Sequence, residues 1–171
     1  MAGLLVSLPM HLACQIMCAG NSTNGNVTFG QNTSTGKQNS SPLPEGYIAF
    51  PDIGVAYKSH HTELVLWNEA QRRCSEDGAM LALVDSLKKL EYAMKIKPLT
   101  SASHIGIRRW SKRSEWTGLK TGPLVSSLPW APYEPTYGAD ENCAFMWMDG
   151  RGLAAGNCYK NIQHFICEIP I

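Results

Sequence analysis

The cysteines constrain this chain more than any other residue type. Six are present: Cys14 and Cys18 lie in an apolar run near the start, and Cys74, Cys143, Cys158 and Cys167 lie in the C-terminal part. Residues 1–19, from Leu4-Leu5-Val6 through Ile16-Met17 and closing on the small residues Ala19 and Gly20, read as a secretory signal peptide, although Pro9 and His11 interrupt the run and no Lys or Arg precedes it. A membrane anchor is the competing reading. The run falls short of the roughly 18 to 20 uninterrupted apolar residues that a span requires, so no membrane span is expected. Removal of the signal leaves an even set of four cysteines in an oxidising compartment, which predicts a secreted, extracellular protein with two disulfides. Four cysteines allow three connectivities, and the residues alone leave all three open.

Residues 20–45 are dominated by Asn, Ser, Thr, Gly and Gln and offer little to bury, so they read as a disordered tail. Asn21, Asn26, Asn32 and Asn39 each begin an Asn-x-Ser/Thr sequon and no later Asn does, which points to N-glycosylation of the tail. The composition turns apolar at Gly46, and residues 46–171 are read as one globular domain with a useful core. The net charge of +1 argues against nucleic-acid binding, so electrostatic recognition has to be local.

Within the domain, the Pro51–Gly54 turn separates two expected strands, and His60-His61 is placed in a polar turn. Trp67, Ala70, Gln71 and Cys74 recur at helical spacing, with Gly78 as the stop. Met80–Val84 is a short buried run. Asp85-Ser86 can cap a second helix whose shared face is Leu87, Leu90, Glu91 and Met94, ending at Pro98. His104–Ile107, Trp116–Gly118, Ala144–Met148 and His164–Ile169 read as strands.

Two stretches carry candidate chemistry. From Trp130 to Cys158 the chain is too rich in Pro and Gly for helix, and it places Glu134 and Glu141 on an irregular loop. Such carboxylates can gather around calcium, which takes about six to eight oxygens in loose geometry, and can equally be solvated acids. Arg108, Arg109, Trp110, Lys112 and Arg113 group four cations around one indole; this group can grip phosphate or sulfate, or can be a solvated hairpin tip.

The order and spacing of several motifs resemble the C-type lectin-like domains over residues 46–171. Trp67-x-x-Ala70-x-x-x-Cys74 with Gly78–Ala82, His104-Ile-Gly-Ile107, Asn142-Cys143, Cys158 and Phe165-Ile-Cys167-Glu168 carry the resemblance. The segment from Gly46-Tyr47 to His60 and the Trp-Asn-Glu-Ala helix start further resemble insect haemolymph lipopolysaccharide-binding proteins. The resemblance implies an α+β double-loop fold, with two helices flanking small antiparallel sheets and a long irregular ligand loop between Trp116 and Cys143. It also implies the nested pairing of Cys74 with Cys167 and Cys143 with Cys158. In the calcium-dependent pattern Glu134, Thr136 and Glu141 stand at ligand positions. Thr136, however, replaces an Asn, and Leu153-Ala154-Ala155 replaces Trp-Asn-Asp, so calcium is expected to have an incomplete site made of Glu134 and Glu141. Asp140 or Asp149 are the candidate substitutes.

The implied function is recognition of microbial or host glycans, lipopolysaccharide included, by an innate-immune type of lectin, with Arg108, Arg109, Trp110 and Arg113 contacting anionic groups. The alternative on the same fold is a protein-binding or self-associating module using Trp130, Tyr133 and Tyr137. Bridged cysteines are unavailable as nucleophiles, and the chain contains no hydrolase or phosphate-loop motif, so an enzyme is not expected.

Overall fold

The computed structural model describes residues 42–120, 122–123 and 128–171. The expected signal peptide at 1–19, Cys14, Cys18 and the four sequon asparagines lie outside the described residues. Among the described residues the strands are β1 (Ile48–Phe50), β2 (Val55–Val65), β3 (Met80–Leu81), β4 (Ser103–Arg108), β5 (Thr117–Gly118), β6 (Gly122–Pro123), β7 (Cys143–Met146), β8 (Leu153–Gly156) and β9 (Gln163–Pro170), with helices α1 (Trp67–Glu76) and α2 (Leu87–Ile96). No described helix is long and apolar enough to cross a membrane.

Strand β9 organises the rest. It pairs antiparallel with β2 and β3 and parallel with β4, so it is hydrogen-bonded on both edges. It is also buried on both faces: Ile166 joins one apolar cluster with Val55, Tyr57, Leu90, Ile105 and Leu153, while Phe165 and Cys167 join a second with Ala56, Trp67, Ala70, Cys74 and Cys158. The alternation follows from the two-residue period of a strand. Each fully buried large apolar side chain contributes about 1.5 to 3 kcal/mol, which makes this double-sided strand the centre of the hydrophobic core.

Both disulfides fasten that centre. Cys74 of α1 is bonded to Cys167 of β9, and Cys143 of β7 to Cys158. The pairing is the nested one.

Helix α1 buries Trp67, Ala70 and Cys74, and its indole N–H donates to the Ile105 carbonyl at 2.8 Å, tying the helix to β4. It stops where Gly78 adopts φ +71° and the Ala79 amide donates back to the Cys74 carbonyl at 2.9 Å. Helix α2 is capped by the Ser86 hydroxyl, which accepts from the Lys89 amide at 3.3 Å. The face it buries is the expected one only in part: Leu90 is buried and Met94 packs against the same core cluster, joined by Ala93, whereas Leu87 is 75% exposed and Glu91 is exposed.

His60 and His61 also differ from expectation. They continue β2 rather than forming a turn, since the strand runs on to Val65, and the His60 ring stacks on Phe165 with centroids 4.3 Å apart. Burial pushes the His60 pKa below the usual imidazole value, with Lys58 acting in the same direction. The pairing register of β2 with β9 breaks between His60 and Val65, and that irregularity lets one long strand serve where a turn was expected.

Gly106 marks a close backbone approach between β3 and β4. A Cβ there would lie 2.4 Å from the Leu81 carbonyl oxygen, a backbone atom that cannot swing aside. Gly106→Ala should therefore lower stability by about 2 kcal/mol in a denaturant titration. A change under roughly 0.5 kcal/mol would show that β3 and β4 are not held this closely.

Candidate functional site

The loop from Leu128 to Asn142 packs along β8. Strand β8 is bonded to β7 on one edge, so its other edge would leave backbone groups unpaired. The loop satisfies them. The Leu153 amide donates to the Pro129 carbonyl at 2.9 Å, the Ala131 amide donates to the Leu153 carbonyl at 2.8 Å, and the Ala155 amide donates to Glu134 Oε2 at 3.0 Å. Gly152 permits this close approach, because a Cβ there would sit 2.5 Å from the Ala131 nitrogen.

Glu134 therefore acts as a strut. Its Oε2 also accepts from the Thr136 amide at 2.8 Å and the Thr136 hydroxyl at 3.3 Å. Glu141 does similar work within the loop, its Oε2 accepting from the Gly138 amide at 2.7 Å. Asp149 is held by Arg151, whose Nε donates to it at 2.7 Å. Leu153, Ala154 and Ala155 are buried in β8 and present no side-chain oxygen. Two carboxylates already accepting loop donors do not make the six to eight oxygens that calcium requires, so this donor set does not fit the ion. Among the described residues no group of three His, Cys, Asp or Glu side chains is gathered as a metal site.

At the loop apex Tyr133 is fully exposed at φ +68°, followed by a cis Glu134–Pro135 bond. A left-handed tyrosine costs of order 1 kcal/mol or more, and here it directs an aromatic ring into solvent. Tyr137 is 60% exposed and Trp130 half-buried, its ring 4.8 Å from that of Trp116.

The cationic cluster divides into an inner and an outer part. Arg109 is 1% exposed and cannot reach a ligand directly, which corrects its expected role. Its Nε donates to Asn142 Oδ1 at 3.2 Å, and its two terminal nitrogens donate to the Lys112 carbonyl at 3.4 Å and the Thr136 carbonyl at 3.3 Å. Neighbouring residues stay outside. Trp110 is 74% exposed, with the Arg108 guanidinium carbon 4.4 Å from its ring centroid and 5.3 Å from that of Trp67. Lys112 and Arg113 are exposed on the same turn.

The structure thus brings the Arg108–Arg113 turn and the Glu134–Glu141 loop together, joined through Arg109. Strand β8 was missed as an element. Its signal was the four-residue apolar stretch Leu153–Gly156, too short and too rich in Ala and Gly to distinguish strand from loop.

Comparison with known proteins agrees with this geometry. The Lectin C-type domain family matches residues 63–169, and the chain belongs to that family, whose members are non-enzymatic recognition domains. Human C-type lectin domain family 17, member A is 29% identical over 125 residues, 73% of this chain and 32% of that protein, so the chain spans about a third of that relative. Among solved structures, the C-type lectin domain of murine dendritic cell inhibitory receptor 2 in complex with N-glycan has a TM-score of 0.67 at 21% identity, covering 76% of this chain and 100% of that one. A calcium-independent type II antifreeze protein has a TM-score of 0.65 at 21% identity, covering 74% and 93%.

Proposed function

We propose that this chain is a secreted glycan-recognition domain that binds anionic microbial glycans, lipopolysaccharide among them, without calcium. The observation that carries this reading is the pairing of the exposed Trp110 indole with Arg108 on a turn that also presents Lys112 and Arg113. An indole face stacks on the apolar face of a sugar ring, and the adjacent guanidinium and ammonium groups attract its phosphate or sulfate. Calcium independence is supported by Glu134 and Glu141, whose carboxylates brace the loop. Recognition of sugar is supported by the neighbour solved with N-glycan, and secretion by the two disulfides. The lipopolysaccharide assignment rests on the resemblance to the insect haemolymph proteins.

A glycan and lipopolysaccharide array that pairs each sulfated or phosphorylated sugar with its neutral parent tests this. Binding should favour the charged member and weaken as NaCl is raised from about 50 to about 300 mM, because the contacts are exposed and screened. Trp110→Ala should weaken it by roughly ten-fold and Arg113→Ala by a smaller factor. Equal binding to charged and neutral sugars, or no effect of Trp110→Ala, would overturn the proposal. Capture of a second copy of the chain, lost in Tyr133→Ala, would instead favour the protein-binding module, for which the fully exposed Tyr133 is the specific observation.

A further inference from the structure

We infer that Arg109 is a positioning residue, a latch that fixes the long loop against the Arg108–Arg113 turn. This deepens the reading above, since the surface it aligns is the proposed glycan surface. The guanidinium is almost completely buried, and among the described residues it makes no ion pair with a carboxylate. A buried cation with only neutral partners is an expensive way to fill space, and an apolar side chain of similar volume would be cheaper in stability. What an apolar side chain could not do is bond the turn and two separate points of the loop at once. The acceptors are the Lys112 carbonyl in the turn, the Thr136 carbonyl near the loop apex and the Asn142 side chain at the loop exit.

The rest of the geometry supports a latch. The Arg109 backbone amide donates to the Asn142 carbonyl at 2.9 Å, so main chain and side chain hold the same loop exit. The guanidinium carbon lies 4.8 Å from the Trp116 ring centroid and 5.5 Å from that of Tyr137. Residues Thr136 to Asn142 have no regular secondary structure to set their own position. Arg109 packs against Tyr137 and directly precedes Trp110, whose ring lies against Arg108, so its side chain sets the loop that carries Tyr137 beside the turn that presents Trp110. A planar fork with five donors suits divided acceptors of this kind, and a lysine ammonium does not.

Amide hydrogen exchange on the intact, disulfide-bonded protein, without ligand, tests the latch independently of any glycan. In Arg109→Met, peptides covering residues 131–142 should exchange roughly ten-fold faster while peptides in β2 and β9 keep their protection, because the lost bonds lie in the loop and not in the core. Arg109→Lys should behave like the methionine variant, since charge without the fork does not bridge the segments. Tyr137→Ala removes an exposed ring and leaves the core untouched; it should speed exchange in the same peptides by a smaller factor, and it carries the test if the Arg109 variants do not fold. Unchanged exchange across 131–142, equal acceleration in β2 and β9, or full rescue by Lys would overturn the assignment. If the loop loosens as expected while no glycan is bound by the wild type, the latch stands and the glycan reading falls.

Discussion

Replacing Cys74 and Cys167 together by alanine should lower the unfolding free energy by about 4 to 5 kcal/mol, the largest loss expected from any single link in the molecule. The bridge joins residues 93 apart, and in the chain-entropy account a bridge closing about 100 residues restricts the unfolded chain by that amount. Its two ends belong to α1 and to β9, so the loss also detaches the helix from the strand on which both apolar clusters are built. The Cys143–Cys158 bridge spans only 15 residues, and its double alanine variant should lose about 3 kcal/mol. Denaturant titrations of the two variants check the order. A Cys143–Cys158 variant as unstable as the Cys74–Cys167 variant would mean that loop size does not govern their contributions and that the β7–β8 region matters as much to the core as β9.

Acidification should destabilise the protein through His104. Its imidazole is 1% exposed, and burial pushes its pKa down from 6.5 to about 4, outweighing the bonds to the Val65 and Asn161 backbones that favour the charged form. A group whose folded pKa is depressed in this way keeps the native state stable above its unfolded pKa. That contribution is lost as pH falls from about 6.5 towards 4, and a shift of this size corresponds to about 3 kcal/mol. Glu168 has the opposite sign. Burial raises its pKa, so its contribution is complete below the ordinary carboxylate value and is lost as pH rises through the raised one. Melting curves between pH 7 and 4 should show the stability of the wild type falling, and His104→Gln, which keeps a donor for the Val65 carbonyl, should fall less. Parallel curves for the two proteins would rule out His104 as the acid-sensitive group.

The helices and the main strands were legible because each rests on a short-range rule: helical spacing in Trp67–Cys74, an apolar run at His164–Ile169, a stop at Gly78, a cap at Ser86. The disulfide pairing, which joins residues 93 apart in one case, was legible only through the family resemblance. The site was legible only in part. The residue types of the Arg108–Arg113 turn were visible, but not that Arg109 turns inward, because its acceptors are 27 and 33 residues away along the chain. Glu134 was read as a solvated acid or a calcium ligand. Its actual partners include the Ala155 backbone amide, and a backbone donor leaves no mark in the sequence of a loop. The same applies to β8, whose edge becomes intelligible only once the loop is seen to cover it.

The exposed aromatic and cationic surface is proposed to recognise an anionic glycan without calcium. The most direct test is the Kd for the best-bound charged glycan, measured by titration in about 1 mM calcium and again in excess chelator, at one fixed ionic strength. The two values should agree within about two-fold, since the Glu134 and Glu141 carboxylates are engaged in bracing the loop. A loss of roughly ten-fold or more in chelator would overturn this and would mean that the loop rearranges to give calcium the oxygens it lacks here.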